Sequence, residues 1–272
     1  MKKAEELHFP EITVSLIFTK MKRGIIYLAS GGRSYLGELL TSFHSLRRYE
    51  PELPVTVFSR FEIPRGLPHC DAKPITSLEH PLKLKVLTLK ESPYEETLFL
   101  DTDTTVMGPL GPLFDQLGSH DFAAANSHEA DWSVQPTRFV AMVKPRDYNT
   151  GVLLYRKSEP MRQFLAQWEK AVLAQDASDM WAGHYCDQYY FNKLVTEGAL
   201  ERNGVDFLEL DNVVCNARGA MLPEIKRLGR MGDVRILHHR TQAMKARKLF
   251  YSVTDWPTIR EIGIKAVNRV RG

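Results

Sequence analysis

This chain of 272 residues predicts an α/β fold, a mixed sheet flanked by helices. Short unbroken apolar runs alternate with segments of helical period, and polar or glycine-containing loops close most of them. Ile25 to Ala29 is such a run, stopped by Ser30-Gly31-Gly32, and reads as a strand buried on both faces. Leu36, Leu39, Leu40, Phe43 and Leu46 then recur at helical spacing, with Glu38, Arg47 and Arg48 facing away. Pro54 introduces Val55-Thr56-Val57-Phe58, a second strand, and the three segments make a βαβ unit. Pro81 to Lys90 is helical again, Ser92-Pro93 closes it, and Thr97 to Leu100 is the next strand.

Farther along, Phe122 to Ala125 reads as a short strand, followed by a polar loop through Pro145 that no periodicity organises. Asn149-Thr150-Gly151 leads into a strand at Val152-Leu153-Leu154-Tyr155, and Met161, Phe164, Leu165, Trp168 and Val172 mark an amphipathic helix. A further helix starts near Cys186-Asp187-Gln188 and runs through Phe191, Leu194 and Val195. Val234 to Leu237 is a late strand ending in His238-His239.

The composition is that of an ordinary globular protein, 43% hydrophobic and 25% charged, with a net charge of +3. One large domain is expected over residues 24–250, with a peripheral N-terminal extension over 1–23 and a basic C-terminal helix or tail over 251–272. Lys and Arg are spread along the chain, so nothing demands nucleic acid; the basic end, with Lys265, Arg269 and Arg271, allows at most a weak peripheral contact with an anionic membrane. Cys70, Cys186 and Cys215 lack any Cys-x-x-Cys spacing, so neither a disulfide framework nor a zinc knuckle is implied, and reduced thiols in a cytoplasmic protein fit best. The N-terminus is too acidic for a signal peptide, and Ile12 to Phe18 is too short to span a bilayer.

The chemistry-bearing segment is Asp101-Thr102-Asp103-Thr104, arriving off Leu98-Phe99-Leu100. Side chains at i and i+2 of an extended segment point the same way, so two carboxylates converge where a buried strand runs out. Hard oxygen donors of this kind suit Mg²⁺ or Mn²⁺, whose remaining positions are filled by phosphates and water. The plainer reading is that Asp-Thr-Asp ends a strand and caps the next turn. A histidine from a distant strand end would complete a cation site, and His238 and His239 are both candidates, of which at most one faces it.

In this order, Tyr27-Leu28-Ala29-Ser30, Lys83-Leu84-Lys85, Ser92-Pro93-Tyr94, Leu98 to Thr104, Asn149-Thr150-Gly151-Val152, Asp187-Gln188 and Leu237-His238-His239 followed by Lys245 resemble the nucleotide-sugar-dependent glycosyltransferases of the GT-A fold. The similarity is greatest to the glycogenin-like and lipopolysaccharide galactosyltransferase-like group, glycosyltransferase family 8. The resemblance implies a Rossmann-like mixed sheet and a UDP-sugar donor. It also implies transfer of a hexose with retention of configuration and a Mn²⁺ (or Mg²⁺) cofactor.

Carried over by position, the resemblance puts Ala29, Ser30 and Gly31 at the base and ribose, Lys85 (or Lys83) near the donor, and Asp101, Thr102 and Asp103 at metal and nucleotide. Asn149 and Thr150 would face the acceptor, Asp187 and Gln188 the transferred sugar, and Lys245 the phosphates. The family's His-x-x-Gly-x-x-Lys spacing is met from His239 to Lys245, with Gln242 in place of glycine, whereas strand position favours His238 as the ligand. Were the reaction inverting, Asp187 would be the first candidate base, with Asp131 or Asp147 behind it.

Three other readings compete. Asp101-Thr102-Asp103-Thr104-Thr105 also fits the nucleophile motif of a haloacid-dehalogenase-type phosphatase, although a whole βαβ unit precedes it and a late acidic pair is missing. Ser30-Gly31-Gly32-Arg33-Ser34 has something of a nucleotidyltransferase loop, and a relative that binds sugar nucleotide without turnover completes the set.

Overall fold

The structure, a computed structural model, describes residues 22–31, 34–126, 147–175 and 187–239. The chain opens with β1 (Arg23–Ala29), α1 (Ser34–Arg47), β2 (Val55–Ser59), β3 (Cys70–Pro74), α2 (Pro81–Lys90) and β4 (Glu96–Leu100). It continues through β5 (Thr104–Val106), α3 (Gly111–Leu117), β6 (Phe122–Asn126), β7 (Tyr148–Arg156), α4 (Glu159–Leu173) and α5 (Asp187–Thr196). The last part holds α6 (Ala199–Arg202), β8 (Phe207–Leu210), α7 (Asn212–Cys215), β9 (Ala217–Arg218), α8 (Leu222–Arg227) and β10 (Ile236–His238).

The expected mixed sheet is present, seven strands in the order β3-β2-β1-β4-β7-β6-β8. β1 runs parallel to both β2 and β4, whereas β7 lies antiparallel to β4 and β6. A second sheet of three strands, in the order β5-β10-β9, stands beyond the end of β4. It pairs Thr104 with His238 across an antiparallel step and Arg218 with His238 across a parallel one.

Alternation along the central strands explains why their runs are apolar throughout. Ile25, Tyr27, Leu98 and Leu100 pack on one face with Leu39, Phe43 and Leu46 of α1 and Phe114 of α3. Ile26, Phe99, Leu153 and Tyr155 pack on the other with Val86 of α2, Phe164 and Trp168 of α4 and Phe191 of α5. Each strand is sandwiched between helices, so neither face shows polar residues. Gly24 lies under the Tyr94 ring, where a Cβ would come within 2.5 Å of the aromatic carbons.

Several elements differ from expectation. Asn149, Thr150 and Gly151 lie within β7, because that strand extends through Tyr148 and is buried over nearly its whole length. β3, β5, β8 and β9 add to the strands expected from the sequence; β3 is an edge strand with Asp71 exposed, and β9 holds only two residues. Asp101 to Asp103 form a turn between β4 and β5, not a straight extension of β4. The carboxylates therefore converge across a turn. Residue 23 opens β1, and the basic C-terminal residues, with Lys245, lie outside the described residues, as does Asp131.

Phe122, fully buried on β6, meets Phe164, Phe191 and Phe207 with ring centroids 6.0, 5.6 and 5.5 Å away. Phe122→Ala is expected to lower the unfolding free energy by about 3–5 kcal/mol. Urea denaturation followed by circular dichroism checks this; an unchanged midpoint would contradict the packing described.

Candidate active site

The register of β1 on β4, Tyr27 opposite Leu100, brings the end of β1 alongside the Asp101 turn. Ala29, Ser30 and Gly31 thereby stand beside the two aspartates, with Ser30 buried. The Ala29 carbonyl accepts from Ser59 Oγ at 3.1 Å and from the Arg60 amide at 3.2 Å, which fixes the end of the strand. The Tyr35 ring occupies the space where a side chain on Gly31 would stand. Burial pushes the Tyr35 phenol above its ordinary range, with the charges of Glu38, Asp103 and Asp101 acting in the same direction.

Neutral hydrogen bonds hold the turn itself. Thr104 Oγ1 donates to the Asp101 carbonyl at 2.8 Å and lies 2.9 Å from Ser42 Oγ, which is 3.0 Å from the Tyr27 hydroxyl. Burial raises the Tyr27 phenol, so it keeps its proton and serves as the donor at the end of this chain. The result ties the turn to α1 and β1. Thr102 is buried, with its hydroxyl 3.4 Å from Glu38 Oε2.

Asp101, Asp103 and His238 come together on this turn: each offers a ligand atom, and these atoms lie within 4.8 Å of one another. His238 Nε2 is 3.2 Å from Asp103 Oδ1 and 3.8 Å from Asp101 Oδ2. Burial raises the Asp101 carboxyl above the usual carboxylate range, against the pull of Lys85 and His238. Burial acts the same way on Asp103, yet hydrogen bonding to His238 and the charges of His238, Arg218 and Lys85 hold its carboxyl below that range.

His239 is not part of the cluster. Its Nε2 lies 3.0 Å from Thr105 Oγ1, because neighbouring side chains on extended backbone project to opposite sides, while its amide donates to the Asp103 carbonyl at 2.8 Å. The spacing counted from His239 to Lys245 therefore starts from a side chain turned away from the aspartates.

Lys85 lies at the centre of a buried ionic network. Its Nζ is 3.1 Å from Asp101 Oδ1, 3.0 Å from Asp187 Oδ2 and 3.3 Å from the Thr150 carbonyl. Burial works against the ammonium form, but Asp101 and Asp187 outweigh it and keep the lysine well above its ordinary range. Lys83, the alternative, reaches elsewhere: its Nζ donates to the Gln175 carbonyl at 2.7 Å. Thr150 Oγ1 donates to Asp187 Oδ2 at 2.7 Å, and Trp168 Nε1 donates to the Asp187 carbonyl at 3.1 Å. Asn149 Nδ2 donates to Gln188 Oε1 at 3.0 Å, while Asn149 Oδ1 accepts from the Gly151 amide at 2.9 Å. Asp187, Gln188, Asn149 and Thr150 thus form one patch beside the aspartates, on β7 and the start of α5.

The donor set fits a divalent cation: two carboxylates and an imidazole nitrogen suit Mn²⁺ and tolerate Mg²⁺. Gly151 is the close-approach residue of the site. A Cβ there would overlap the His238 ring and lie 2.6 Å from Asp101 Oδ2. The haloacid-dehalogenase reading needs further carboxylates, and among the described residues the third group at the cluster is instead a histidine. Glu38, expected on the outward face of α1, is instead buried beside Thr102; Tyr35, Ser42, Asn216 and Arg218 carry no sequence signal, each an ordinary residue type whose placement depends on pairing with distant elements.

A mixed α/β sheet carrying this cluster at the end of its central strand has the GT-A glycosyltransferase fold. Among solved structures, the chain is similar to the glycosyltransferase GlyE of Streptococcus pneumoniae TIGR4, with a TM-score of 0.57 and 20% identity over 91% of this chain and 64% of that one. It is also similar to the bifunctional glycosyltransferase WbbM (TM-score 0.52, 14% identity, 82% of this chain and 46% of that one). A third likeness is to mouse xyloside xylosyltransferase 1, with a TM-score of 0.51 and 14% identity over 80% of this chain and 97% of that one. The chain thus spans just under two thirds of GlyE and less than half of WbbM. No protein-family model matches it, and no curated protein matches it by sequence. Among the described residues no helix is long and apolar enough to cross a membrane.

Gly151→Ala should leave the fold intact and push His238 off the aspartates. Isothermal titration with Mn²⁺ is expected to show at least a tenfold loss of affinity against the parent protein, and equal affinities would refute the close-packed site.

Proposed function

We propose that the protein is a metal-dependent glycosyltransferase that moves a sugar from a nucleoside-diphosphate sugar, a UDP-sugar first among them, to an acceptor hydroxyl. The observation that carries this reading is the convergence of Asp101, Asp103 and His238 at the end of β4 in a GT-A sheet. Asp101, Asp103 and His238 would hold the ion, and Mn²⁺ or Mg²⁺, when bound, supplies Lewis acidity toward the departing diphosphate.

The remaining roles belong to the chain's own groups. Ala29, Ser30 and Gly31, at the mouth of the site, would receive the nucleoside. Lys85, locked between Asp101 and Asp187, sets the direction of the Asp101 carboxylate and offsets its charge. Asn149 and Gln188 present paired amides, a hydrogen-bonding surface that suits sugar hydroxyls. Thr150 and Lys85 both engage Asp187 Oδ2, so this carboxylate is fixed as part of the sugar-facing patch. That engagement supports retention over inversion, since an inverting base needs an open approach to the acceptor hydroxyl. Lys245 remains a candidate for the phosphates. Transfer also requires the exclusion of water, which would otherwise act as acceptor and turn transfer into hydrolysis.

Incubation with Mn²⁺ and a panel of nucleotide sugars should release nucleoside diphosphate, and EDTA should stop it. Release of free phosphate from phosphomonoesters, or of pyrophosphate from a sugar phosphate and a nucleoside triphosphate, would overturn the reading. Nuclear magnetic resonance of the product's anomeric proton decides between retention and inversion.

Two substitutions separate the roles. Asp103→Ala should abolish metal-dependent binding of UDP together with turnover. Asp187→Asn should keep UDP binding within about threefold and lower kcat by about 10²-fold or more. Normal binding of UDP and Mn²⁺ by Asp103→Ala would remove the site assignment.

A further inference from the structure

We propose that Asn216 is a positioning residue for the cation site: it holds the His238 ring with Nδ1 as donor and Nε2 turned to Asp101 and Asp103. The inference rests on the functional reading above only in naming the cation; the orientation of the ring stands by itself.

The geometry is direct. Asn216 is 1% exposed and His238 5% exposed, and Asn216 Oδ1 lies 2.8 Å from His238 Nδ1. The amide of Asn216 cannot turn freely, because its Nδ2 donates to Asn212 Oδ1 at 3.2 Å. With the NH₂ group committed to Asn212, the carbonyl oxygen is what faces the imidazole, and an acceptor there requires a proton on Nδ1. The other nitrogen, Nε2, is then the atom 3.2 Å from Asp103 Oδ1. That nitrogen faces the two carboxylates, where a divalent ion is the species that satisfies all three groups.

The support for Asn216 is itself rigid. It is the C-cap of α7, and its backbone amide donates to the Asn212 carbonyl at 3.0 Å. Asp211 caps the other end of α7 by accepting from the Val213 amide at 2.8 Å. The Val214 carbonyl accepts from the Arg235 amide at 2.8 Å, which joins α7 to the chain entering β10. The short helix therefore carries the orienting oxygen at a fixed height beside the strand that carries the ligand. A carboxamide is a neutral acceptor, so it sets ring orientation without adding charge to a site that already holds two carboxylates.

The test measures Mn²⁺ dissociation constants by electron paramagnetic resonance on the full chain, for the parent protein, Asn216→Leu and Asn216→Asp. Asn216→Leu is expected to weaken Mn²⁺ binding about 10–100-fold. Asn216→Asp, which restores an acceptor for Nδ1–H, is expected to recover affinity to within about threefold of the parent. Nitrogen-15 resonances of His238 should show a protonated Nδ1 in the parent protein, with and without Mg²⁺, and loss of that preference in Asn216→Leu.

A folded Asn216→Leu protein with parental affinity overturns the proposal, as does an unprotonated Nδ1 in the parent protein. Should Asn216→Leu not fold, the parental resonance and Asn216→Asp decide by the same criteria. Failure of the parent protein to bind Mn²⁺ at all would strike the proposed function and leave the ring orientation to the resonance data.

Discussion

Two half-buried carboxylates at the end of a hydrophobic strand repel each other, and the surroundings of β4 are arranged against that repulsion. Asp101 and Asp103 are brought within reach of one another by a turn fixed from behind by Thr104, Ser42 and Tyr27. Burial alone would favour protonation of both. Lys85 and His238 oppose that on two sides, and Arg218 adds positive charge near Asp103. Removing one partner from such a group leaves an uncompensated buried charge, which typically costs about 3–5 kcal/mol. Among the described residues, this arrangement stands at the end of β4, the central strand of the sheet.

Topology supplies the partners. Lys85 comes from α2, on the face of the sheet opposite α1, and reaches past Thr150 of β7 to both Asp101 and Asp187. His238 comes from the second sheet, where β10 runs antiparallel to β5. The two sheets meet at the aspartates, and Gly151 permits the meeting: the backbone of β7 passes so close to His238 and Asp101 that no side chain fits there. The aromatic core under α4 and α5 is coupled to the same point, since Trp168, its ring tilted against Phe191 with centroids 4.9 Å apart, donates to the Asp187 carbonyl.

The parts that could be read from sequence are those set by local pattern. β1, β2 and β4 are sandwiched between helices, so their apolar runs announce them; α2 begins and ends where Pro81 and Lys90 suggested. β3 and β9 leave no comparable trace, because an edge strand alternates in polarity and a two-residue strand has no pattern at all. The acidic pair was visible as two carboxylates after a buried run, but its turn was not, since Thr104 acts through Ser42 on another element. Lys83 and Lys85 are both buried on one helix, and only the fold shows that one reaches a carbonyl beyond α4 while the other reaches Asp101. His238 and His239 face opposite ways as adjacent residues must, yet which of them met the aspartates depended on the register of β10 against β5.

The supporting residues carry no local signal in the sequence. Asn216 and Arg218 lie in a segment whose only regular structure is one turn of helix and a two-residue strand, and both matter through their neighbour β10. A ligand set can be guessed when its members have rare chemistry at strand ends. The residues that aim those ligands are chosen by geometry, and any short polar side chain at the right height will serve. In this fold that height is set by α7: its caps at Asp211 and Asn216 place one carbonyl oxygen against one ring nitrogen, which leaves the other nitrogen facing the carboxylates that β4 delivers.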